Sequence, residues 1–187
     1  ALEYRRVFAT AGVAAVSFML MRESRTVLLP LIGASLALDA QQIGSIVSAS
    51  ALVDIAFFYP AGVIMDRYGR RATAVPSSML FVVTLAAMTL ATSYHSLLMV
   101  ALVVGVANGM STGIVMTLGT DLAPPGRRSE FLGLWRLLTD AGTSAGPMVI
   151  SALLAVVPLG SAALGVAALG ALGSFVVYRF VEETRDL

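Results

Sequence analysis

Ionisable side chains lie within long apolar stretches of this sequence, where charge is otherwise rare. They are Arg22, Glu23, Arg25, Asp54, Arg136 and Asp140. On insertion scales an ionised side chain at the middle of a membrane helix costs about 2.5 to 3.5 kcal/mol, so each is expected to face protein, an opposite charge or water. Charges in such places are candidates for binding a solute or carrying a proton.

The two arginines of the first stretch, Arg22 and Arg25, are three residues apart and therefore share one helix face. One interpretation is that they contact an anion or a substrate in a central cavity. The alternative is that Glu23 and an aspartate on a neighbouring helix balance them and fix the packing. Two arginines beside one local acid leave a charge to be satisfied elsewhere, and both interpretations stay open.

The aspartates are candidates for proton coupling. At 1.5 Å per residue, Asp54 lies about 18 Å along a helix from the charged turn at Asp66. Desolvation disfavours the charged form of a carboxylate, so Asp54 is a candidate for taking up and releasing a proton; the alternative is a permanent pair with an arginine. Asp140 follows Arg136 on the same helix face and is expected mainly to neutralise it, but it remains a second coupling candidate.

Small and polar residues alternate in a later apolar stretch. Gly105, Gly109 and Gly113 recur every four residues and predict a smooth groove for a neighbouring helix. Asn108 and Thr112 place polar groups beside them, either to line a solvated cavity or to form hydrogen bonds between helices. The candidates for the substrate cavity are Arg22, Glu23, Arg25, Asn108 and Thr112.

A second small-residue pair, Gly142 and Gly146, precedes Pro147 inside another apolar stretch. A proline removes a helical N–H and frees a carbonyl, so the helix could bend there. A hinge and a close helix contact are both compatible with this pattern.

The composition defines the class of protein. Hydrophobic residues make up 58% of the chain and charged residues only 12%, with a mean hydropathy of +0.88, which indicates a membrane protein. The absence of cysteine excludes disulfides and thiolate metal sites, and the single histidine, His95, excludes a histidine-rich one. No enzyme motif and no basic face for nucleic acid is present. No metal, cofactor or nucleic-acid partner is expected, and the chain is not expected to be an enzyme.

These elements predict an all-α membrane protein in which residues 1–187 form a single domain of about six transmembrane helices, since each span needs about 20 apolar residues. The expected spans are 6–32, 42–65, 71–92, 96–121, 129–156 and 161–181. Arginines occur at one set of span ends: Arg5, Arg6, Arg67, Arg70, Arg71, Arg127, Arg128, Arg179 and Arg185. Because positive residues stay on the cytoplasmic side, both termini are expected in the cytoplasm, with the protein in the cell (inner) membrane.

The loop between the second and third expected spans carries a family resemblance. Its sequence is Gly62-Val63-Ile64-Met65-Asp66-Arg67-Tyr68-Gly69-Arg70-Arg71. It closely resembles the G-x-x-x-D-R-x-G-R-R/K loop of the major facilitator superfamily, which joins the second and third helices of a six-helix half. The resemblance covers the whole chain and implies one six-helix half of that fold. The fourth span has no arginine near residue 104, and residues 180–185 resemble an acidic C-terminal boundary, so the chain looks like a C-terminal half. Segments 22–30, 58–60 and 120–125 resemble those of bacterial drug-efflux-like members.

The resemblance also implies roles for residues at the cytoplasmic ends. Asp66 would meet a helix of the other half, and Arg70 with Asp121 and Arg128 would close a cytoplasmic gate. The gate residues implied are Gly62, Asp66, Arg67, Gly69, Arg70, Asp121 and Arg128. The hinge candidates Gly142, Gly146 and Pro147 look like an antiporter motif, G-x-x-x-G-P, although the glycines that follow in that motif are absent here.

The function expected is transport of small organic solutes, either proton-coupled, with efflux as one form, or facilitated. The chain would be a half that must pair with an N-terminal six-helix half of the same transporter, within membrane lipid. The alternatives are a six-helix transporter that pairs with a second copy of itself, and a non-transporting membrane scaffold subunit.

Overall fold

A computed structural model describes residues 7–180, and every regular element in that range is a helix. The helices are α1 Val13–Ser35, preceded by a π-helical turn at Phe8–Gly12; α2 Ala40–Tyr68; α3 Arg71–Ala87, continued by a 3-10 turn at Met88–Leu90; α4 Tyr94–Ser111; α5 Ile114–Asp121; α6 Arg128–Leu154; and α7 Leu159–Phe180. The predicted all-α class is confirmed. Arg5, Arg6, Arg185 and most of the acidic segment 180–185 lie outside the described residues.

Local sequence explains where several helices begin and end. Asp39 and Gln42 form a capping box at the start of α2, in which the Asp39 carboxylate accepts from the Gln42 N–H at 2.8 Å. Ser93 and Ser96 form the same motif before α4. Gly69 ends α2 with φ of +92°, a backbone conformation that favours glycine because it has no Cβ.

Within the described residues, five helical segments are long and apolar enough to cross a membrane. They are Ala40–Tyr68, Arg71–Leu90, Tyr94–Asp121, Arg128–Leu154 and Leu159–Val176. The helix α1 is not among them, because any stretch of it long enough to span a bilayer contains Arg22, Glu23 and Arg25. Five of the six expected spans therefore meet the requirement by length and composition, and the first remains a proposal.

The helices pack in an arc. The main contacts are α2 on α4, α4 on α3, α3 on α7, α7 on α1, and α1 on α6, so α2 and α6 occupy the two ends. The core between the inner helices includes Phe18 and Met21 of α1 and Phe81 of α3, all nearly inaccessible to solvent. Phe18 and Phe81 meet edge to face with 6.1 Å between ring centroids.

Glycines permit a close contact between α2 and α4. A Cβ on Gly105 or Gly109 would collide with the backbone carbonyl oxygens of Ser50 or Asp54, so α2 and α4 approach backbone to backbone. The groove predicted from the glycine series extends only as far as Gly109. Gly113, expected to continue it, instead has φ of +97° and no atom within 4 Å of where a Cβ would lie, and it breaks the expected fourth span into α4 and α5.

Candidate functional site

A cleft of about 590 Å³ opens between α1, α5 and α6. Its lining includes Arg22 from α1, Thr120 from α5, and Arg136, Asp140 and Thr143 from α6. Apolar side chains complete the wall, among them Met19, Met116, Leu132 and Trp135. The cleft therefore combines an apolar surface with a few charged and hydroxyl groups, the mixture found in sites for small organic molecules.

Arg22 is the charged side chain that α1 contributes to this cleft. Its Nε atom is buried and has no hydrogen-bond partner among the described residues. A guanidinium offers five N–H donors in a planar fork, which matches the two oxygens of a carboxylate. The position of Arg22 is thus suited to bind an anionic group that enters the cleft.

Arg25 pairs with an aspartate on α2. Its Nη2 lies 3.4 Å from Asp54 Oδ2 of α2, and the Asn108 amide of α4 donates to the same carboxylate oxygen. The Arg25 and Asp54 side chains are only 17% and 21% exposed. One carboxylate therefore connects α1, α2 and α4, as the interpretation of Asp54 as a permanent partner requires. Neither Arg25, Asp54 nor Asn108 lines the large cleft.

Arg136 and Asp140 form an ion pair along α6 at 3.5 Å, with 72% and 61% of their side chains exposed. Such an exposed pair contributes little to stability. Because both residues line the cleft, both charges are accessible to a solute.

The remaining candidates are Thr112 for the cavity and Gly142, Gly146 and Pro147 for the hinge. The Thr112 hydroxyl donates to the Asn108 backbone carbonyl at 2.8 Å, at the end of α4. On α6, a Cβ on Gly142 would lie 2.9 Å from the Val16 carbonyl oxygen, and one on Gly146 would lie 2.9 Å from Glu23 Cβ. Gly142 and Gly146 thus hold α6 against α1. α6 runs unbroken through Pro147, and the hinge remains a prediction.

Trp135 is a site residue that the sequence interpretation missed. Its Nε1–H donates to the Val115 carbonyl at 2.9 Å, and its ring lies against Gly119, so it fixes the short helix α5 on α6. It is the single tryptophan of the chain, which was the available signal. Thr139 and Thr143 also line the cleft and were missed, because nothing in the sequence distinguishes them from other threonines. The Thr139 hydroxyl donates to the Arg136 carbonyl at 2.9 Å, so it can only accept from a solute.

The charged turn between α2 and α3 brings together some of the predicted gate residues. Arg70 Nε donates to Asp121 Oδ2 at 2.8 Å, which joins the start of α3 to the end of α5. Arg67 lies over the neighbouring Tyr68 ring, 5.5 Å from its centroid. Asp66 is exposed and pairs with no described residue.

The other two predicted gate residues, Arg128 and Gly62, are not part of this cluster. Arg128 is exposed at the start of α6 and is not joined to the Arg70–Asp121 pair by any contact within the described part of the chain. Gly62 has no atom within 4 Å of where a Cβ would lie. The surface formed by Gly62 and Asp66 is therefore unoccupied by this chain's own described residues.

Comparison with known proteins relates the chain to a family of transporters. The family model described as Major Facilitator Superfamily matches residues 11–187. The "Hexuronate transporter" of Bacillus subtilis (strain 168) is 28% identical over 134 residues, which cover 72% of this chain and 31% of that protein. The "Arabinose-proton symporter" of the same organism is 29% identical over 85 residues, which cover 46% of this chain and 18% of that protein. The matched part spans less than a third of the length of either relative.

Proposed function

The chain belongs to the Major Facilitator Superfamily of membrane transporters, and we propose that it forms one six-helix half of a secondary transporter for small organic acids. Members of this family are transporters and not enzymes, as the sequence led us to expect. The six-span count, the pairing with another half, the substrate and the coupling ion are parts of this proposal.

The observation that carries the proposal is the position of Arg22. Arg22 lines a cleft of about 590 Å³ and forms no ion pair with a described residue, which favours a ligand whose anionic group meets its guanidinium there. The name of one relative specifies hexuronate, a sugar that carries a carboxylate. A carboxylate on Arg22 with hydroxyl groups on Thr139 and Thr143 would use the polar groups of the cleft and leave its apolar wall to the carbon skeleton.

Proton coupling is the second part of the proposal. The name of the other relative specifies a proton symporter, which supports co-transport with a proton. Asp54 and Asp140 remain the candidates for the coupling residue. Asp140 is the more accessible of the two, whereas Asp54 accepts from both Arg25 and Asn108. Efflux and antiport stay predictions of the sequence alone.

Two helices support pairing with another six-helix unit. In the most apolar stretches of α2 and α6, only 17% and 22% of residues are buried, compared with 50% in the stretch Tyr94–Asp121. These two helices form the ends of the arc, and α6 also lines the cleft. We propose that the second half covers them and closes the cleft. A second copy of this chain is the alternative partner.

The test is transport by the full-length protein in proteoliposomes, with labelled uronic acid compared with a neutral sugar. A hydrogen bond to a charged group contributes about 1.5–3 kcal/mol, so Arg22→Gln is expected to reduce the apparent affinity for the acid about 10- to 100-fold. Arg22→Lys should retain more affinity, because it keeps the charge but loses the planar fork.

The neutral sugar serves as the internal control, since its uptake by the same variant reports folding and insertion. Equal uptake of the acid by Arg22→Gln and the unchanged protein would contradict the proposed binding role. If the protein without substitutions transports neither the acid nor the sugar, the scaffold alternative is favoured instead.

A further inference from the structure

A second, smaller surface lies on the other side of the bundle, between α3 and α7. It is a groove of about 370 Å³ lined by Met79, Val82 and Val83 of α3 and by Ala171, Phe175 and Tyr178 of α7. The Ser174 hydroxyl in its wall donates to the Gly170 carbonyl at 2.9 Å and is therefore satisfied within its helix. Apart from the Tyr178 end, the groove offers no free polar group to a solute.

A cation lies at that end. The Arg71 guanidinium donates to the Tyr178 backbone carbonyl at 2.8 Å and covers the Tyr178 ring at 4.7 Å from its centroid. No carboxylate among the described residues pairs with Arg71. The carbonyl occupies one of five guanidinium donors, so within the described part of the chain the positive charge is unpaired and most of the hydrogen-bonding capacity is unused.

The backbone adds to this positive end. Arg71 is the first residue of α3, and no described side chain caps the helix there. The first N–H groups of a helix carry partial positive charge and favour a nearby anion. Arg71 and the start of α3 therefore place positive charge together at one end of an apolar groove.

We propose that this groove is a binding site for one anionic phospholipid, with an acyl chain along Val82, Val83 and Phe175 and its phosphate on Arg71. The site matches a phospholipid because its apolar wall can hold an acyl chain and the cation at one end of that wall can bind the phosphate. A phosphate or a small solute would leave the apolar wall unused. The site is separate from the cleft that contains Arg22.

A neighbouring groove provides the contrast. It has a volume of about 210 Å³ between α1 and α7, and its lining includes Val13, Leu20, Leu169 and Leu172 but no charged residue. Any lipid chain in this second groove would lack a charged anchor. Of these two grooves, only the Arg71 groove is therefore expected to prefer an anionic headgroup.

The experiment is native mass spectrometry of the full-length protein in detergent, with phosphatidylglycerol or phosphatidylcholine added in turn. One arginine near a membrane surface is worth about 1 kcal/mol toward anionic lipid, so phosphatidylglycerol adducts should exceed phosphatidylcholine adducts about fivefold. Arg71→Gln should remove this preference and Arg71→Lys should keep it. Arg67→Gln is the matched control, because it removes the same charge from the same turn without touching the groove.

A second pair of variants tests the acyl-chain wall. Ala171→Trp fills the Arg71 groove and should abolish the preference for phosphatidylglycerol, whereas Leu172→Trp enters the neighbouring uncharged groove and should leave that preference unchanged. Retained selectivity in Arg71→Gln, or equal loss in Arg67→Gln, would overturn the proposal. Displacement of the lipid preference by inorganic phosphate at equal concentration would assign Arg71 to a free anion instead.

Discussion

Asp54→Asn keeps nearly the same side-chain shape but removes the negative charge that faces Arg25 and Asn108. At an effective dielectric constant of about 20, two unit charges separated by the 3.4 Å of the Arg25–Asp54 contact attract by about 5 kcal/mol. The side chains are 17% and 21% exposed, and desolvation offsets part of the attraction. We therefore expect the variant to lose about 2 kcal/mol of unfolding free energy, because Arg25 is left without its partner.

The assay is a double-mutant cycle on the full-length protein, with unfolding followed in mixed micelles. Arg25→Gln with Asp54→Asn replaces the ion pair by two amides, and should recover most of the loss seen in Asp54→Asn alone. Transport driven by a pH gradient is measured on the same variants. If Asp54 only holds the helices together, the double variant regains both stability and dependence on the gradient.

The opposite outcome separates the two interpretations of Asp54. A double variant that is stable but transports without regard to the pH gradient would assign Asp54 to proton coupling. A cycle in which the two single losses simply add would refute the ion pair as an energetic unit. Arg25 would then be satisfied by another group, and the reasoning from the 3.4 Å contact would fail.

Two further predictions concern the gate and the helix contacts. Asp66→Ala should reduce transport by the full-length protein while leaving insertion intact, because Asp66 pairs with no described residue and would meet the proposed other half; unchanged uptake in vesicles would remove the gate role. Gly109→Leu should destabilise the α2–α4 contact by more than 2 kcal/mol in a mixed-micelle unfolding assay, since its side chain would meet the Asp54 carbonyl and Phe57. Gly44→Ala, in open space on α2, is the matched control and should be neutral or slightly stabilising.

Most of the helices could be predicted from the sequence, because long apolar runs and their charged or glycine-rich ends are local features. The capping residues Asp39 and Ser93 lie between expected spans, Asp39 between 6–32 and 42–65 and Ser93 between 71–92 and 96–121. The arrangement of charges was only partly predictable. Spacing indicated that Arg22 and Arg25 share a helix face, but which one would meet Asp54 depends on how α2 crosses α1.

Breaks and long-range contacts were harder to predict from the sequence. Gly113 belongs to a regular four-residue series with Gly105 and Gly109, and nothing local distinguishes the glycine that breaks the helix from the two that pack against α2. The Trp135 bond to the Val115 carbonyl likewise depends on that break, because α5 must turn toward α6 before the contact can form. A pattern read along one helix carries no information about such a change of direction.

The helix least suited to cross a membrane alone, α1, is also the one on which the proposed transport site depends. Arg22, Glu23 and Arg25 exclude it from the apolar spans, and one acid cannot neutralise both arginines, so at least one arginine needs a group outside α1. Arg25 obtains one from Asp54, while close contacts at Gly142, Gly146 and Gly173 cover the backbone of α1 with α6 and α7. Since the rest of α1 is held so tightly, Arg22 is presented to the cleft from a fixed surface, as selective recognition of an anion requires.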